Sequence, residues 1–162
     1  MFIYSIRAST VRFFGCIFIC LAVLVLLLTL GSAQTVYASA GGREINYGGI
    51  KTNEDRVAFI EGFGIRVDAQ PVREETFTMP DDFDRVIGGY NQIQKTQGLD
   101  LTKYTRKRVT HYAYKVTNYD GEGTVYVNLL LYRNRIIGAD ISSLDEGGFV
   151  SSLTDFDTSK LK

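Results

Sequence analysis

One stretch of the chain, RKRVTHYAYKVTNY at residues 106–119, holds its only histidine, His111, among tyrosines and basic residues. An imidazole in such company can act as a general base or a metal ligand, because it gains and loses a proton near neutral pH. A hydrolase built on it needs a nucleophile and an orienting acid within reach. The sequence has no G-x-S-x-G elbow to supply the nucleophile. Paired carboxylates could instead cleave a glycan, but the acids fall in runs with simpler explanations. Asp81, Asp82 and Asp84 stand where a helix N-terminus favours negative charge. The DGEG and DEGG runs at 120–123 and 145–148 are turn sequences without the ligand spacing of an EF-hand loop. The glycines of GFGIRV precede a strand rather than follow one, the wrong order for a dinucleotide cradle. No catalytic residue, metal site or cofactor is expected on these grounds.

The elements that position His111 can be read from periodicity. Thr52 or Asn53 caps a helix through TNEDRVAFIEGFG, with Glu54 and Asp55 at its positive end. Val57, Ile60 and Phe63 form its apolar stripe, and Gly64 stops it. Alternation of Ile65, Val67 and Ala69 predicts a strand, and the charged run VREETFTM predicts an edge strand around Phe77. A second helix follows Pro80, with Phe83, Val86, Ile87, Tyr90 and Ile93 as one buried stripe and Gly98 as its end. Gly88 and Gly89 inside it cost about 1 kcal/mol each relative to alanine, which close approach to a sheet would explain.

Three strands then form a meander, turning at Asp120-Gly121 and at Asn134. A first loop of even length puts Tyr112, Tyr114 and Val116 on one face with Val127, Leu129 and Leu131. A three-residue second loop with Asn134 left-handed adds Ile137, Ala139 and Ile141 to that face. A second loop of even length would instead carry Ile137 and Ile141 to the face of His111. That other face is mixed. It is either a solvated outer surface, ordinary for antiparallel sheets, or a ligand platform of His111, Lys115, Tyr126, Asn128, Tyr132 and Asp140.

The first 40 residues contain no acid and only two basic residues, Arg7 and Arg12, ahead of an uncharged apolar run of 18 residues at 13–30. That length approaches the roughly 20 residues of a membrane-crossing helix. The flanking arginines predict a cytoplasmic N-terminus and an outer folded part. Small-residue patterns at 31–33 and 38–40 leave open cleavage and secretion. Both cysteines, Cys16 and Cys20, sit in this run, so the outer part has no disulfide or thiolate chemistry. With Arg7 and Arg12 set aside, 16 basic residues face 18 acidic ones, a net charge of about −2 that argues against nucleic acid as a partner.

The runs TNEDRVAFIEGFG, YNQIQKTQGLDLTKY, YAYKVTNY, VNLLLYRNRIIGADISS and GGF, in this order and spacing, give the chain a family likeness. It resembles a family of membrane-anchored proteins from Firmicutes known only as domain of unknown function 4830. The resemblance implies a Gram-positive cell envelope and carries no assigned catalytic or binding residues.

The expected organisation is a basic cytoplasmic segment at 1–12, a transmembrane or signal-anchor helix at 13–30, a tether at 31–51, an extracytoplasmic domain at 52–153 and a polar, frayed tail at 154–162. The domain is expected to be α+β, with two helices packed on one face of an antiparallel sheet that ends in the three-stranded meander. Its expected role is a non-enzymatic binding module, held at the membrane by the N-terminal helix, for an envelope protein or cell-wall component. The alternatives are an envelope hydrolase using His111 or a carboxylate pair, or a sensor of a small ligand or metal.

Overall fold

The computed structural model describes residues 37–40 and 43–162. Among the described residues no helix is long and apolar enough to cross a membrane. The segments expected at 1–12 and 13–30 lie outside the described residues. A hairpin of β1 (Tyr37–Ala40) and β2 (Arg43–Asn46) leads to helix α1 (Asn53–Glu61). Five antiparallel strands follow, hydrogen-bonded in chain order: β3 (Arg73–Thr78), β4 (Arg108–Lys115), β5 (Val125–Tyr132), β6 (Arg135–Ser143) and β7 (Val150–Ser151). Helix α2 (Arg85–Thr96) and a 3₁₀ turn (Leu101–Tyr104) connect β3 to β4. The fold is α+β.

Local chemistry sets α1 in place. The Thr52 hydroxyl accepts from the Asp55 N–H at 3.2 Å, while the Asp55 carboxylate accepts from the Thr52 N–H at 2.8 Å, a reciprocal capping box. Gly64 then takes a φ of 79°, as expected of a glycine stop. Ile60 is fully buried, and Val57, Phe59 and Phe63 lean on the sheet face that carries Tyr114, Val127, Leu129 and Ile141. Arg56, itself buried, stacks 3.9 Å from the Tyr112 ring and donates to the Tyr114 hydroxyl at 2.7 Å. The register pairs Tyr112 with Leu129 and Tyr114 with Val127, so the expected apolar face of β4 and β5 forms.

The two helices do not share that face. Helix α2 runs along the outer edge of β6. Phe83 and Tyr90 meet Val109, Leu130 and Ile137 on the opposite side of the sheet. Its fully covered residues are Asn91 and Gln94, with Gln97 just beyond, whereas Val86 of the expected stripe is 77% exposed. Asn91 accepts from the Leu101 N–H at 2.8 Å, and the two glutamines are buried because they close a strand edge. The Gln94 Oε1 accepts from the Ala139 N–H at 2.7 Å and the Gln97 Nε2 donates to the Ala139 carbonyl at 2.5 Å. Side chains thus replace a neighbouring strand where β7 does not reach. No atom lies within 4 Å of a Cβ built on Gly88 or Gly89, so close approach to the sheet does not explain this pair.

Both turns of the meander differ from expectation. The first is a longer loop across 117–124, which leaves the parity of β4 and β5 unchanged. In the second, Tyr132 pairs directly with Arg135, and Arg133 rather than Asn134 is left-handed, with φ 55°. A two-residue loop should flip β6, but a bulge intervenes. Leu131 pairs with Ile136 and Leu130 with Gly138, leaving Ile137 extra. Ile137 therefore joins the face of His111, while Ala139 and Ile141 return to the core.

Three segments read as peripheral are also reassigned. Residues 45–50, expected in the tether, supply Ile45, Tyr47 and Ile50 to the core, and the Tyr47 carbonyl accepts from the Ile136 N–H at 2.9 Å. The strand expected around Ile65–Ala69 reduces to a single bridge between Val67 and Val116. The tail does not fray at its end: Phe156 is buried, and Leu161 bridges to Tyr119.

Candidate functional site

The face opposite the main core divides in two. Its half nearest the β5–β6 turn is covered by Phe83, Tyr90 and Leu101 from the connection between β3 and β4. Its other half is an open cleft of about 390 Å³, floored by His111, Ala113, Tyr126, Asn128 and Ser142, with Val72, Arg73 and Leu144 completing its lining. That volume falls in the range of small-molecule sites.

Strand alternation brings the polar residues together. Asn128 pairs directly with Asp140 on β6 and lies diagonal to His111, whose direct partner is Leu130. The Asn128 Oδ1 meets the His111 Nε2 at 3.0 Å. The Asn128 Nδ2 donates to the Asp140 Oδ2 at 2.8 Å and to the Ser142 hydroxyl at 2.9 Å. From α2 the Tyr90 hydroxyl donates to the Asp140 Oδ1 at 2.6 Å. One continuous network thus runs from a helix, through a buried carboxylate, to the histidine in the cleft.

The electrostatics follow from burial. Asp140 is 3% exposed, and the loss of water raises its carboxyl pKa above the ordinary value. The donors Tyr90, Asn128 and Ser142 and the nearby His111 oppose that rise without cancelling it. Tyr90 is pushed well up, first by burial and then by the Asp140 charge that its hydroxyl faces.

Of the residues expected to form a platform, His111, Tyr126 and Asn128 line the cleft. Asp140 stands behind them and reaches His111 through Asn128, which links the two rather than separating them. Lys115 is exposed at the end of β4 and outside the cleft lining. Tyr132 is turned to the covered half, with its ring 5.6 Å from that of Tyr104. Tyr90, Ser142, Arg73, Val72 and Leu144 were not among the expected residues. Ser142 was within reach of parity, two residues beyond Asp140 on the same face. Tyr90 had a weaker signal, a hydroxyl in an apolar stripe that demands a partner once buried.

Among the described residues no cluster of three His, Cys, Asp or Glu side chains could hold a metal ion. The cleft also presents no nucleophile poised on His111, since Ser142 is engaged by Asn128 and Asp140.

A family model described as domain of unknown function (DUF4830) matches residues 59–141, just over half of the chain. The chain belongs to this family. The DUF4830 match begins within α1 and ends in β6, so it includes Tyr90, His111, Asn128 and Asp140, while Ser142 and Leu144 lie just beyond it. No curated protein and no solved structure matches the chain.

Proposed function

We propose that this chain is a membrane-anchored extracytoplasmic binding module of the bacterial cell envelope, and that the cleft over His111 is its binding site. The observation that carries the reading is the network beneath the cleft, in which Tyr90, Asp140 and Asn128 fix the one histidine against an open hollow. Preorganised polar groups on rigid strands, beside apolar walls such as Val72 and Leu144, are what a small-ligand site requires. Anchoring rests on the apolar run at 13–30, and cell-wall material is the ligand source this location would offer. A second reading, hydrolysis with His111 as general base, is favoured by the same orientation of the imidazole through Asn128.

The test is a melting screen of the full-length chain, wild type and His111→Ala, against soluble cell-wall fragments, nucleotides and metal ions. A ligand present at a hundred times its dissociation constant adds about 2.7 kcal/mol of stability. The expected result is a shift of several degrees with a wall fragment, lost in the variant. Turnover of that fragment, abolished by His111→Ala, would establish the hydrolase instead. No shift with any compound would contradict both readings.

A further inference from the structure

Hydrogen-bond accounting in the cleft narrows the ligand. The Asp140 carboxylate only accepts, so the Asn128 amide must turn its NH₂ towards Asp140 and its oxygen towards His111. That oxygen in turn requires the proton of His111 on Nε2. In the neutral imidazole, Nδ1 is then a fixed acceptor, and it has no hydrogen-bond partner among the described residues. Asn128 and Ser142 are already engaged with their neighbours. What remains for a ligand is the Nδ1 acceptor, the Tyr126 hydroxyl and the Arg73 guanidinium, which makes no ion pair among the described residues. Arg73 pairs with Ala113 and so lies diagonal to His111 on the same face, about 7–8 Å away by sheet geometry. Glu75 stands directly opposite His111 on the edge strand but outside the cleft lining.

Resting on the reading above, we propose that the cleft recognises a compact ligand that pairs a carboxylate, held by Arg73, with an N–H or O–H donor, accepted by the His111 Nδ1. Acylamino acids and hydroxy acids have this pattern. Their apolar substituents would meet Val72, Ala113 and Leu144.

The experiment titrates the full-length chain with N-acetylalanine, its methyl ester and propionate, by calorimetry and by the imidazole resonances of His111. The acid should bind saturably and move the His111 signals. The ester and propionate should bind at least about tenfold more weakly, the worth of one charge-assisted hydrogen bond. Arg73→Gln, an exposed change that leaves the buried network intact, should weaken the acid by about the same factor. Equal binding of the ester would remove the carboxylate from the proposal, and equal binding of propionate would remove the donor. Either result overturns it, as does no binding of the acid. A wall fragment active in the melting screen but unrelated to these probes would leave the binding role standing while this ligand class fails.

Discussion

Tyr90 and Asp140, fifty residues apart, meet in a 2.6 Å hydrogen bond between a helix hydroxyl and a buried strand carboxylate. It is the contact through which α2 reaches the cleft network. Hydrogen bonds to charged groups contribute about 1.5–3 kcal/mol. Tyr90→Phe should lose an amount in that range at neutral pH, read from urea midpoints. The loss should shrink in acid, where Asp140 is protonated. An equal loss at both pH values would mean that packing, not the carboxylate, accounts for Tyr90.

The raised pKa of Asp140 has a sign that can be tested. Burial raises it, so the folded state holds the proton more tightly than the unfolded chain, whose carboxyl titrates near 3.9. The stability from this group is complete below that value and lost as pH rises through the folded pKa. Asp140→Asn mimics the protonated form. Its stability relative to wild type should therefore improve from about pH 4 to pH 7, measured by denaturant unfolding. A relative decline over that interval would contradict the assignment.

Gln94 serves the backbone of another element, accepting from the Ala139 N–H at 2.7 Å and from the Gln97 side chain at 2.9 Å. Gln94→Leu keeps bulk but leaves a buried N–H unpaired, which costs about 1–3 kcal/mol. Amide hydrogen exchange at Ala139 should accelerate in step with that loss. Unchanged exchange would show that water or another group satisfies the edge.

Gly88 and Gly89 lie inside α2 with open space around them and without positive φ. Either changed to alanine should gain about 0.5–1 kcal/mol by lowering the entropy of the unfolded chain. Thermal melting of the two single variants reads this directly. Destabilisation would indicate a contact at this surface that the folded chain alone does not make.

The contrast between α1 and α2 shows what the sequence carries. The Thr52 cap, the Gly64 stop and the pairing of Tyr114 with Val127 follow from local chemistry and from the two-residue period of a strand, both visible in one segment at a time. The burial of Gln94 and Gln97 does not, because these amides are drawn inside by a strand edge some forty residues away, and Asn91 is covered where it accepts from the Leu101 N–H of the following 3₁₀ turn. Ile137 is similar: only the mismatch between a two-residue turn and two apolar faces demands the bulge, and the turn length was not legible. The glycines before Ile50 masked a segment whose Ile45 and Tyr47 are core residues. For the site, alternation placed His111, Asn128 and Asp140 on one face. It could not show that Asn128 joins the other two or that Tyr90 completes them.

His111 is the only histidine in the chain, so its ring nitrogens can be observed without ambiguity. The most direct test is a long-range ¹H–¹⁵N spectrum of the neutral imidazole in wild type and in Asn128→Ala. The expected spectrum has the proton on Nε2 alone in wild type, with that restriction relaxed in the variant. A proton on Nδ1 in wild type, or the same spectrum from both proteins, would mean that Asp140 and Asn128 do not set His111 for the cleft.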